Sequence, residues 1–186
     1  MPAKSPSSGS GRKTGAAERL KHYLLGKSKS GTWSYGFGEQ PSLEATAWAA
    51  IALRGDPSGA AAGAADFIVA NQNADGGWST GPHEGRSDWV SALALFALRA
   101  MLAADASMKV KISKKTIDKA TDYLIDSRTE FFNLPSRVFI GAVKGSEGLK
   151  YPRGWPWTNE CFHWVEPTSY SLLALKVPEM PGQRDL

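Results

Sequence analysis

Three stretches of the chain are apolar nearly all round: Thr46 to Leu53 (TAWAAIAL), Ser91 to Leu98 (SALALFAL) and Thr168 to Leu175 (TSYSLLAL). A helix that reads this way is one buried on both faces, so these are expected to be inner helices. A second helical stretch precedes each of them, carrying His22-Tyr-Leu-Leu, Asp66-Phe-Ile-Val and Asp122-Tyr-Leu-Ile. The pattern predicts three helix pairs in an all-α chain.

The pairs keep one register. Trp33, Trp78 and Trp155 each follow glycine closely, in Gly31-Thr-Trp33, Gly77-Trp78 and Gly154-Trp155. The thirteenth residue after each is a small hydroxyl (Thr46, Ser91, Thr168) and the twentieth is leucine (Leu53, Leu98, Leu175). Self-similarity of this kind marks a repeat architecture. The upstream aromatic stands 10 residues before Trp33 and 11 before Trp78, but Tyr123 stands 32 before Trp155. A loop over 129–150 is therefore inserted in the third unit, and extra loops of a repeat protein often lie near its binding face. The expected organisation is a flexible tail at 1–15, units at about 16–55, 59–101 and 116–178, and a tail at 179–186.

Before the second tryptophan stands Gln72-Asn-Ala-Asp-Gly-Gly-Trp78. A glutamine ending one helix, glycines turning and an indole packing back resembles the glutamine-tryptophan repeat of squalene and hopene cyclases and of protein prenyltransferase β subunits. Glycine tolerates positive φ at a helix end, glutamine can bond unpaired helix-end groups, and the indole covers the junction. Gln72, Gly77, Trp33, Trp78 and Trp155 are thus expected to be structural. The resemblance implies an α/α toroid of helical hairpins, with an isoprenoid, terpenoid or polyprenyl, as ligand. Those toroids close with about twice as many pairs, so an incomplete ring or half barrel is expected: a fragment, or a chain that self-associates to complete the toroid.

Composition adds limits. Seven basic residues against Glu18 give residues 1–30 a charge of +6, so the whole-chain +4 leaves −2 for the rest. The basicity belongs to a Ser/Gly/Pro-rich N-terminus, which reads as a solvated tail rather than a nucleic-acid surface. Apolar runs are about half the roughly 20 residues a membrane span requires. With one cysteine, Cys161, and no secretory apolar segment in the first fifteen residues, a cytoplasmic protein without a transmembrane segment is expected.

No catalytic residue can be assigned from the sequence. The Asp-x-Asp-Asp acid of cyclases is absent, leaving the single acids Asp75 and Asp88. Where the prenyltransferase resemblance would place a zinc-binding cysteine stands Thr168, a poor zinc ligand. Cys161, His163 and Glu166 lie close in sequence but lack a second ligand pair, so no metal and no cofactor is expected. Gly36-Phe-Gly-Glu-Gln40 resembles a thioester pentapeptide with phenylalanine in place of cysteine. A carboxylate two residues before the hydroxyl recurs in Glu44 and Glu166, and two readings follow. Both could cap first-turn amides together with Thr46 or Thr168. Alternatively both stand at the rim of a cavity, with Trp157, Trp164 and Tyr170 as an aromatic wall and Arg153 as an anion contact. An isoprenoid enzyme, a non-catalytic scaffold or ligand-binding module, and a carbohydrate-active α/α toroid with Glu44 and Glu166 as acid and base all remain open.

Overall fold

The computed structural model describes residues 10–36, 40–80, 85–129, 138–139, 141–143, 153–158 and 161–176. These residues are mainly helical, with α1 (Ser10–Lys27), α2 (Leu43–Ala52), α3 (Ala60–Ala70), α4 (Val90–Ala104), a 3-10 turn (Ala106–Val110), α5 (Lys114–Asp126) and α6 (Val165–Lys176). Among them no strand forms; only isolated bridges occur. The first helix starts at Ser10, inside the stretch assigned to the tail, and the segment 179–186 lies outside the described residues.

The inner helices α2, α4 and α6 pack side by side with α4 in the middle, while α3 lies against α2 and α4, and α5 against α4. Of the three, α4 alone is enclosed as its pattern predicts: nearly every residue from Val90 to Leu102 is buried. The expectation of two buried faces fails for α6, where Leu172 and Leu173 are 55% and 49% exposed, because no further inner helix packs on that side among the described residues. Arg99 crosses the buried layer, donating from Nη1 to the Ala174 carbonyl at 2.6 Å and from Nη2 to Thr121 Oγ1 at 3.0 Å, and so ties α4 to α5 and α6.

The repeated sequence register is a repeated hydrogen-bond set. Each tryptophan indole closes its helix pair by donating to a carbonyl of the preceding helix: Trp33 to Leu24 at 2.8 Å, Trp78 to Ile68 at 2.7 Å, Trp155 to Leu124 at 2.6 Å. Each tryptophan N–H donates to the hydroxyl thirteen residues later, at 3.1 Å for Thr46, 2.8 Å for Ser91 and 3.0 Å for Thr168. The amide five residues after the indole's acceptor donates to the carbonyl just before the tryptophan: Lys29 to Thr32, Asn73 to Gly77 and Thr129 to Gly154. Thr129 and Gly154 exchange both backbone bonds, at 2.9 and 3.3 Å. The third-unit insertion thus leaves and re-enters at adjacent backbone points, so unit geometry survives an extra loop whose residues lie mostly outside those described.

Two details of the Gln72 turn depart from expectation. Gln72 Nε2 donates to the Gly76 carbonyl and to the Thr116 carbonyl of the next unit, both at 2.9 Å, so it links units; Asn71 Nδ2 caps the helix end instead, on the Phe67 carbonyl at 2.8 Å. Positive φ belongs to Gly76, at +95°, whereas Gly77 is needed for space, since a Cβ there would meet Ser87 and Ser91 side-chain atoms at 2.5–2.8 Å.

Candidate functional site

Counted from each tryptophan, three offsets build one rim at the N-terminal ends of the inner helices. The second residue is Tyr35, Thr80 or Trp157; the eleventh is Glu44, Trp89 or Glu166; the fifteenth is Trp48, Leu93 or Tyr170. Residues four apart on a helix share a face, so the eleventh and fifteenth positions project together. The Trp48 and Tyr170 rings meet edge-on with centroids 5.7 Å apart, bringing α2 and α6 together, while Leu93 at the same position of α4 is fully buried. Trp89 packs against Tyr170 at 6.0 Å and stands edge-on to Trp157 at 4.9 Å. A backbone bond from the Trp89 amide to the Trp157 carbonyl, 3.3 Å, fixes that last contact.

The carboxylates frame the rings. Glu166 Oε1 accepts from the Tyr170 hydroxyl at 2.8 Å, and Glu44 Oε2 accepts from the Tyr35 hydroxyl. Burial, the Glu166 hydrogen bond and charge, and the Glu44 charge all push the Tyr170 phenol up, so both carboxylates act on one ring. Burial first, then the hydrogen bond that the phenol donates to Glu44, raises Tyr35 to about 12. Neither glutamate bonds a backbone amide among the described residues. The capping reading is corrected there: Ser42 holds the N-cap of α2, accepting from the Ala45 amide at 3.3 Å, and the Thr46 hydroxyl is engaged by Trp33.

Four of the six expected pocket residues, Glu44, Trp157, Glu166 and Tyr170, come together here. Trp164 is 57% exposed and its indole joins none of the described ring contacts; Arg153 is exposed beside Gly154. Trp48, Trp89 and Tyr35 complete the rim and were missed, although they stand at the offsets of Tyr170, Glu166 and Trp157. Below the rim, a cleft lined by Asp88, Trp89, Tyr123, Trp155, Trp157 and Ser171 has room for about one water molecule.

The other acids are engaged in turns. Asp75 accepts from the Gly77 amide and the Ser87 hydroxyl, and Asp88 from Thr80 and the Val90 amide. Cys161 is exposed and accepts from the Thr158 hydroxyl at 3.1 Å. Among the described residues no group of three potential metal ligands forms, and no helix is long and apolar enough to cross a membrane. Phe37 to Glu39 of the thioester-like string lie outside the described residues. Comparison with known protein families and with curated proteins found no match.

Proposed function

We propose that this chain is a prenyltransferase- and squalene-cyclase-like helical repeat module, an incomplete α/α toroid, that binds an isoprenoid along its inner-helix face. The observation that supports this reading is an apolar stripe one turn below the rim. Ile51, Phe96 and Leu173, each eighteen residues after its tryptophan, are all partly or largely exposed. They continue the face of Trp48 and Tyr170, with Leu93 buried between them, and a partly exposed apolar face with carboxylates at its edge suits a hydrocarbon ligand. Glu44 and Glu166 at the edge argue against a diphosphate head by charge. Self-association completing the ring belongs to the same proposal, with the exposed side of α6 as the meeting edge.

A non-catalytic scaffold is the second reading, favoured by the structural use of every residue of the repeat signature. A thermal-shift series with farnesol, geranylgeraniol and squalene separates the two. The expected outcome is a rise in Tm of roughly 5–10 °C at a hundred times Kd, lost in Tyr170→Ala with helical circular dichroism retained. No shift with any of them rejects the isoprenoid ligand and leaves the scaffold.

A further inference from the structure

The rim combines two features that a hydrocarbon ligand does not use. Glu44 and Glu166 each accept from a neutral phenol, and among the described residues neither has a lysine or arginine partner. Three lysines are paired with other carboxylates: Lys21 with Glu18 and Asp56, Lys111 with Asp66, Lys114 with Asp118. Between the two carboxylates stand Trp48, 41% exposed, and Tyr170, whose rings are in contact, with Trp89 and Trp157 beyond.

Electrostatics selects the occupant. Aromatic faces carry negative quadrupole potential and attract cations, quaternary ammonium groups above all. Two carboxylates without a lysine or arginine partner among the described residues add to that attraction and repel phosphate or carboxylate heads. A hard metal ion requires several oxygen ligands converging on one point, and the described residues bring no three His, Cys, Asp or Glu side chains together. We propose that the aromatic rim binds an organic ammonium group, with Glu44 and Glu166 as its countercharges and Trp48 and Tyr170 as its contact surface. The inference rests on reading the inner-helix face as a ligand surface, but not on the rest of the ligand being isoprenoid.

The test is a titration of the full chain, labelled with 15N-tryptophan, at low ionic strength. The matched probes are choline and 3,3-dimethylbutan-1-ol, which differ in one atom and one charge. Choline is expected to move the Trp48 indole signal, identified with Trp48→Phe, with a Kd roughly tenfold or more below that of the alcohol. In Glu44→Gln/Glu166→Gln the preference should fall to the level of the alcohol; if that pair of changes abolishes the helical circular dichroism, either single variant carries the same readout. Equal binding of the two probes, no binding of either, or an undiminished preference in the variants overturns the proposal. Farnesol in the same titration separates it from the isoprenoid reading. Farnesol bound without a choline preference removes the ammonium group alone, whereas a choline preference without farnesol binding keeps the ammonium site and removes the isoprenoid.

Discussion

At Thr46, Ser91 and Thr168 one hydroxyl serves a whole repeat. It accepts from the tryptophan N–H thirteen residues earlier and lies 3.0–3.4 Å from the same residue's carbonyl. A buried amide left without an acceptor costs about 1–3 kcal/mol, and Ser91 and Trp78 are both fully buried. Ser91→Ala should therefore lower unfolding free energy by about 1–3 kcal/mol in urea titration, and Ser91→Thr, which keeps the oxygen, should lose less unless its methyl crowds Gly77. The hydroxyl at offset thirteen was legible as a recurrence. Its partner was not, because a repeat in sequence states that a contact recurs without saying which groups make it. Trp48, Trp89 and Tyr35 illustrate the converse: their types differ from their counterparts in other units, so only the position, and not the residue, repeated.

Helices are joined at two kinds of place, one tight and one charged. Gly31, with φ +83°, lies against Gly63 of α3 so closely that a Cβ would fall 2.5 Å from the Gly63 Cα, and Gly76 lies in the same way against Lys119 of α5. Gly63 and Lys119 both stand five residues before the carbonyl that takes an indole, so the turn of one unit nests on the outer helix of the next at a constant point. On the first unit, Lys21 of α1 pairs with Asp56 after α2 at 2.9 Å. The Lys21 bond, then the Ser58 bonds, hold the Asp56 carboxyl down at about 2, below its ordinary 3.8. A lowered carboxyl stabilises the fold above the unfolded-state value and loses that contribution as pH falls through the folded-state value. Asp56→Asn should accordingly be less stable than the wild type at pH 7, by an amount constant down to about pH 4 and vanishing towards pH 2, as followed by urea unfolding across that range.

For the molecule as a whole, the third turn breaks the pattern. Arg153 occupies the place of Gly31 and Gly76, two residues before the tryptophan, and it is exposed. A further outer helix cannot nest there at glycine distance, so the contact that would close the proposed ring is expected to run through the inner layer, over Leu172 and Leu173. Light scattering on the purified chain should give about twice the 20.0 kDa chain mass, and Leu172→Glu/Leu173→Glu should return a 20.0 kDa monomer. A wild-type monomer rejects self-association and leaves the ligand proposals untouched.

By itself the sequence determined that the chain is mainly helical and that three tryptophans share one register, and it named four side chains that the structure places around the rim, because each rests on local periodicity or on a fixed offset along the chain. Tertiary structure alone decided that Gln72 links units rather than capping a helix, that α6 keeps an exposed face, and that Trp48 reaches Tyr170 across α4. Those outcomes depend on which helix lies beside which, and residue spacing within a unit carries no information about its neighbours in other units.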